Sequence, residues 1–374
     1  MHATGMHATE ATAEAVRAME ICNACRYCEG FCAVFPAMEQ RRAFSTADVD
    51  YLANLCHNCR GCYYACQYAP PHPFGINLPQ TFAEVRADSY EAHAWPAPLA
   101  RLFRRNGTVV SVATAGAIAL VLLLAMGLRP AATLYGAHRG PGAFYAVIPW
   151  GVMAAVAGAS FLYALLAIAI GVRRFWHAAG PEAPIGASAL ARAAMDVLTL
   201  RNLGGGGHGC NDRDEGFTQA RRHLHHALFY GFLLCFAATV VATVEADLLG
   251  RPAPYPFFSL PVLLGTFGGL GLIAGCAGLI WLKIVADPEP AARRVLGGEY
   301  ALLVLLLLAA VTGLLLLALR ATAAMGIALS VHLGVILALF LALPYSKFVH
   351  GPYRSAALLR FAAERTRQLQ PPPA

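Results

Sequence analysis

One spacing of cysteines occurs twice near the start of the chain: CxxCxxCxxxC at residues 22–32 and again at 56–66. Three thiols, each separated by two residues, can wrap one face of a cubane iron–sulfur cluster. The fourth, one helical turn further on, points away and completes a neighbouring cube. The spacing therefore predicts two [4Fe–4S] clusters with crossed ligands: Cys22, Cys25, Cys28 and Cys66 for one, and Cys56, Cys59, Cys62 and Cys32 for the other. Zinc fits poorly, because its ribbons use CxxC pairs parted by longer spacers, and eight cysteines in this register overfill two tetrahedral sites. Thiolate-bound iron requires reduced sulfur, so the cluster end is expected to face the cytoplasm. The remaining cysteines, Cys210, Cys235 and Cys276, show no pairing pattern, and no disulfide is expected.

Of the 374 residues, 58% are hydrophobic and only 13% are charged, and the mean hydropathy is +0.54. That is too little polar surface for a soluble domain of this length, so the chain reads as a membrane protein. Six segments are long and apolar enough to cross about 30 Å of hydrocarbon as helices: roughly 108–128, 144–172, 225–248, 262–285, 300–320 and 324–346. The fifth and sixth are joined so briefly that they should form a tight antiparallel hairpin. With the clusters inside, an even number of spans returns the C-terminus to the cytoplasm. Of 28 Lys and Arg, only Arg129, Arg139, Arg251 and Arg320 then fall outside, and the other 24 lie in the N-terminal domain, the inner loops or the tail. This is the positive-inside asymmetry. It also accounts for the net charge of +7 without nucleic acid as a partner. The N-terminus lacks a basic region followed by an apolar stretch, so no signal peptide is expected, and Met6 is a second candidate start.

Residues 1–90 form the polar cluster domain, 91–107 a basic linker, 108–350 the membrane domain and 351–374 a tail. In the linker, Trp95 with Arg101, Arg104 and Arg105 suits an interfacial anchor. Between the cysteine runs, Ser45 or Thr46 can cap a helix whose apolar positions Val49, Leu52 and Leu55 recur every three residues. No alternating stretch supplies strands, so the fold expected is all-α: a helical ferredoxin-type domain followed by a six-helix bundle. In the inner loop 173–224, LGGGGHGCNDRDEG carries a glycine run that disfavours regular structure. Its His208 and Cys210 make no coordination set, and the loop should pack under the cluster domain. TFGGLGLIAG in the fourth span superficially matches GxGxxG, but no strand precedes it, and its glycines fit close helix packing.

Ionisable groups at membrane depth are costly and mark function. His332 lies within the sixth span, and His350 follows 18 residues later. On a straight helix that is five turns, about 27 Å, on one face. His225 and His226 stand at the inner mouth of the third span, level with His350. A bis-histidine haem needs two imidazoles at similar depth on facing helices, so His350 with His225 or His226 is the expected pair. His332 lacks an obvious histidine opposite; the third span offers Cys235 and, near its outer end, Glu245 and Asp247.

CNACRYCEGFCAVFP, LCHNCRGCYYACQYAPPHPFGINLPQTFAEVR, RRHLHHALFYGFLLCFAATVVAT, SLPVLLGTFGGLGL and HLGVILALFLALPYSKFVHGPYR together resemble the tricarballylate utilization protein B family, also called citrate utilization protein B. The resemblance spans nearly the whole chain, and all eight cysteines carry over. It implies an electron-transfer protein of the bacterial inner membrane with two [4Fe–4S] clusters and b-type haem, one or two in number. It further implies that the protein reoxidises the reduced flavin of an FAD-dependent tricarballylate dehydrogenase and delivers electrons to the membrane. The sixth span is also similar to the last helix of the haem-bearing gamma subunit of respiratory nitrate reductases, which has ligand histidines before and after a PxxxxVH stretch. His332 and His350 occupy those places. The third span departs from that subunit at its second ligand position, Cys235 or Phe236.

The expected function is a membrane redox wire in which electrons enter the cytoplasmic clusters from a flavoprotein, cross to haem at the inner leaflet and leave to quinone in the lipid. The chain has no nucleotide fingerprint, so the organic oxidation belongs to the partner. Two alternatives compete: a quinol-oxidising subunit running in reverse, and a tricarboxylate transporter. The transporter is disfavoured because the spans show no internal repeat and few charges.

Overall fold

The computed structural model describes residues 9–103, 106–179 and 184–368. Met6, Arg104 and Arg105, and the last six residues of the expected tail, lie outside them. The described residues are helical, and the nearest approach to a strand is one isolated antiparallel bridge between Cys210 and Thr218. Helices α1 (Glu10–Cys25), α2 (Val34–Met38), α3 (Thr46–Leu55), α4 (Gly61–Tyr64) and α5 (Leu78–His93) make the cysteine domain. Ser45 caps α3 in a full capping box with Asp48. Val49, Leu52 and Leu55 are all buried, in one core with Met19, Phe35 and Phe82.

The stretch expected as a linker is itself largely helical: α5 continues to His93, and α6 (Ala97–Leu102) begins behind Pro96, whose fixed φ suits a helix start. Then come α7 (Asn106–Leu128), α8 (Ala131–Leu134), α9 (Ala143–Val147), α10 (Trp150–Ala179), α11 (Ala187–Leu198), α12 (Ala220–Thr243), α13 (Leu260–Ile284), α14 (Leu296–Leu319), α15 (Met325–Ala342) and α16 (His350–Gln368). Six helices are long and apolar enough to cross a membrane: α7, α10, α12 with its continuation to Leu248, α13, α14 with the turn before it, and α15. Their outward faces carry bare apolar side chains such as Leu123, Leu162, Phe267 and Leu315, as expected where lipid replaces water.

Several boundaries differ from expectation. The second span is not continuous from 144: Pro149 forces Ile148 into an extended conformation (φ −126°, ψ 120°), separating α9 from α10, which then runs on to Ala179. The third helix starts at Ala220, so His225 and His226 sit inside it. The fifth starts at Leu296, which brings Glu299 into its first turns. The largest correction concerns the sixth span. It stops at Ala342, and the chain turns through Pro344 before α16 begins at His350. His332 and His350 therefore belong to different helices and do not share the face of one straight rod. Proline has no N–H to continue the ladder and clashes with the turn behind it.

Nor is the chain after 350 a loose tail. Helix α16 packs on α3 and α11. Its Glu364 accepts from Arg41 at 2.7 Å and from the Tyr51 hydroxyl at 3.1 Å, and Arg360 lies over the Tyr51 ring at 4.2 Å. Within the bundle, α12 and α13 approach most closely, and the glycines of the fourth span permit it. A Cβ on Gly268 would meet Cys235 N at 2.8 Å, and one on Gly231 would meet Leu272 N at 2.7 Å. Small residues at such crossings let backbones touch. Gly231→Leu is therefore expected to destabilise the bundle by about 3 kcal/mol through overpacking, measured as a lower unfolding temperature in detergent, whereas Gly127→Leu, at a glycine with open space around it, should leave it unchanged.

Candidate functional site

The two cysteine runs fold against each other. One cavity is lined by Cys22, Cys25, Cys28 and Cys66, with Cys62 at its wall, and a second is lined by Cys32, Cys56, Cys59 and Cys62. Local structure explains the grouping. Helix α1 carries Cys22 and Cys25 in its last turn and ends at Arg26 in the left-handed region (φ 56°), which swings Cys28 round beside them. Asn58 (φ 57°) and Arg60 (φ 66°) do the same between Cys56, Cys59 and Cys62. Ser, Asn and other short side chains tolerate this region better than arginine, so two arginines there mark loops whose course is set by what the cysteines surround.

The chemistry of the donors fits clusters. All eleven cysteines are unpaired. Burial, then the mutual repulsion of the neighbouring sulfurs, pushes the Cys22 and Cys28 thiols up to about 12, and the same causes raise Cys32 and Cys62 well above the usual thiol range. Four thiolates in one such cavity need a compensating cation. Among the described residues, no three His, Cys, Asp or Glu side chains converge closely enough to hold a single metal ion. Donors also face the sulfurs: the Asn58 amide reaches Cys56 Sγ at 3.4 Å and Gln67 Nε2 reaches Cys25 Sγ at 3.7 Å.

The glycine-rich loop wraps the second set. Residues Arg201–Gly207 form a kinked turn, more regular than the composition led one to expect, with Gly205 and Gly206 in the left-handed region. A side chain on Gly206 would strike the carbonyls of Gly30 and Phe31. Asn211 N donates to Cys59 O at 2.9 Å, the Cys210 thiol donates to Leu203 O at 3.0 Å, and His208 stacks on Phe217. His208 and Cys210 are thus packing residues of this loop.

The histidines separate into three environments. His225 on α12 and His350 at the start of α16 face each other, with ring centroids 6.0 Å apart and planes at 78°. Two metal–nitrogen bonds of about 2 Å, added to the ring radii, require a separation of about 6 Å for imidazoles on either side of one iron. His350 Nδ1 donates to the Lys347 carbonyl, which fixes the tautomer and leaves Nε2 for a ligand. Burial, with the charges of Arg354, His225 and Lys347, holds His350 well below the usual histidine range and therefore neutral. His225 Nδ1 is buried and unpartnered among the described residues, as are Nε of Arg86 and of Arg354 nearby. Two facing imidazoles with guanidinium donors beside them are residues that could hold an iron porphyrin.

His226 faces elsewhere: its Nε2 pairs with the Thr199 carbonyl at 3.1 Å, and its ring lies against Tyr230. His332 is the third case, with Nδ1 on Thr312 Oγ1 at 3.0 Å and its ring over Gly313 of α14. The structure does not bring Cys235, Glu245 or Asp247 to it. Sequence reasoning missed His57. Its Nδ1 pairs with Leu55 O at 2.8 Å, and burial and the charges of Arg354, Arg86 and His225 lower its affinity for a proton. It follows Cys56 in the chain and lies near enough to His225 to feel its charge, and its place inside CHNC was the available signal.

A helical eight-cysteine domain seated on a six-helix membrane bundle, with an imidazole pair between them, defines a membrane-bound redox carrier class. Residues 101–371 match the family described as Citrate utilization protein B, and residues 15–92 match its Fer4-like domain. An Escherichia coli protein described as Citrate utilization protein B is 50% identical over 366 residues, covering 97% of this chain and 95% of that protein. No solved structure matches. The chain belongs to the citrate utilization protein B family. On the grouping of the thiols, Cys32→Ser is expected to perturb the centre that includes Cys56, Cys59 and Cys62 and to spare the Cys22 set, read from iron and sulfide content and from the two low-temperature EPR signals of the reduced protein.

Proposed function

We propose that this chain is a membrane electron-transfer protein that reoxidises the reduced flavin of a tricarballylate dehydrogenase and passes the electrons to the quinone pool. The observation that carries the reading is the pairing of His225 with His350 on elements that Arg354 ties to the second cysteine set through the Cys56 carbonyl. Cys22, Cys25, Cys28 and Cys66 would hold one [4Fe–4S] cluster, Cys32, Cys56, Cys59 and Cys62 the other, and His225 with His350 a b-type haem. These groups supply one-electron redox chemistry when bound. The chain's part is to hold them in fixed order, to exclude water from the path with Tyr90, Phe232 and Phe348, and to offset their negative charge with Arg86, Arg354 and Arg221. The family name and the Fer4-like domain support tricarballylate or citrate utilization as the setting. The basic asymmetry supports a cytoplasmic cluster domain in the inner membrane, where a soluble flavoprotein can dock.

His350→Ala and His225→Ala are each expected to abolish the b-haem absorbance while iron–sulfur content persists, and His226→Ala should keep it. Anaerobic mixing of the reduced dehydrogenase with the membrane-bound chain should reduce the haem in step with flavin oxidation. Haem reduction by quinol but not by the reduced flavoprotein would reverse the direction of flow.

A further inference from the structure

A cavity of about 500 Å³ lies where the cysteine domain meets the membrane bundle, within the range of small-molecule sites, and neither cysteine set nor the imidazole pair lines it. Helix α5 supplies Ala87 and Tyr90, the first turns of α14 supply Glu299, the segment after the α15 break supplies Tyr345 and Lys347, and Phe103 lies at the foot of α6.

Its two ends differ in chemistry. At the membrane end, Phe103 and Tyr345 stack at 5.1 Å beside α6, where Leu99 and Leu102 remain 37% and 57% exposed. A short helix with bare leucines, between Trp95 and the first span, lies at the bilayer interface. At the other end the Tyr90 hydroxyl is buried and unpartnered among the described residues. The Lys347 ammonium, bonded to Glu299 at 2.7 Å, has a further donor to give. Tyr90 is close enough to Cys56, Arg86 and Arg354 to feel their charges, and the Lys347 carbonyl accepts from His350. The cavity thus lies near the second cysteine set and the imidazole pair through Tyr90 and Lys347, with α6 at its other end.

We infer that this cavity binds the head group of a lipid-tailed quinone, with the Tyr90 hydroxyl and the Lys347 ammonium donating to its carbonyl oxygens and Phe103 and Tyr345 holding the start of the tail. The inference rests on the proposed exit of electrons to quinone and adds where that exchange occurs. Two electrons from the partner's reduced flavin, arriving one at a time, and two protons from water turn both C=O groups into C–OH, and the quinol leaves by the α6 side.

The test uses the full chain in liposomes, reduced anaerobically and mixed with ubiquinone-1 while haem oxidation is followed. Tyr90→Phe, which keeps the ring stacked on Tyr353 at 5.2 Å, is expected to slow reoxidation about tenfold through the loss of one hydrogen bond. Ala87→Trp, which fills the cavity, should slow it at least as much, with haem, iron and sulfide contents unchanged in both. An azido-ubiquinone should label α5 or the 343–349 segment in the parent chain and lose that label in Ala87→Trp. Parent-like rates in Tyr90→Phe with label elsewhere would overturn the site while leaving quinone as the acceptor. A parent chain that ubiquinone-1 cannot reoxidise would overturn the quinone exit itself, and the site with it.

Discussion

Two guanidinium groups converge on the carbonyl of Cys56, and the rest of the arrangement depends on that contact. Arg354 in the first turn of α16 donates to it at 2.7 Å, and Arg86 of α5, almost wholly buried, reaches it at 3.4 Å while holding Ala53 O at 2.9 Å. These carbonyls close the last turn of α3, where four acceptors lack intrahelical partners and the helix dipole is negative. Hydrogen bonds from a charged donor are worth about 1.5–3 kcal/mol each, and burying such a group without them is prohibitive. Since α16 continues directly from the membrane bundle, the same bonds that finish α3 also fasten the cysteine domain onto the bundle. The placement of Cys56 relative to α16 is thereby held by charge-assisted bonds.

The break at Pro344 makes this geometry available. Were α15 to run straight on, His350 would emerge about 27 Å beyond His332 along one rod, and Arg354 would be carried away from α3. Instead the turn lets α16 lie across α3 and α11, with Glu364 bonded to Arg41 and Tyr51. It also places Lys347 against Glu299. Lys283 pairs with the same carboxylate, so one acidic group on α14 is shared by two cations from two other segments, an arrangement that keeps a buried charge compensated.

The sequence alone revealed the cysteine sets and the six apolar spans because both signals are local: a ligand spacing within one loop, and an uninterrupted run of hydrophobic residues. It put His225, His226 and His350 at one level of the bundle, and His225 does face His350, but it could not say which histidine of the adjacent two turns inward. Neighbours on a helix point about 100° apart, and only the placement of α12 against α16 sends His225 to His350 and His226 to Thr199. The role of residues after 350 was hidden for a related reason. HGPYRSAALLRFAAERTRQ reads as an ordinary amphipathic segment, and the acceptors for Arg354 and Arg360 lie some 300 and 181 positions away. His57 stood in plain view within CHNC, yet a histidine beside a ligand cysteine acquires meaning only once His225 is known to lie beyond it.

The redox residues lie on one side of the bundle. His332, at mid-depth in α15, bonds to Thr312 and packs on Gly313, and no ring contact among the described residues joins it to another histidine. The imidazole pair and the large cavity sit at the boundary shared with the cysteine domain. Moving an electron across the full bilayer exchanges about 2.3 kcal/mol per 100 mV with the membrane potential. If electrons enter and leave on the same side, with protons drawn from the same water, no net charge crosses and the potential is neither built nor spent. Such a chain would release the energy of flavin oxidation rather than store it. In that reading the six spans would serve to hold the imidazole pair and the cysteine domain at the boundary where a lipid-borne acceptor could reach them.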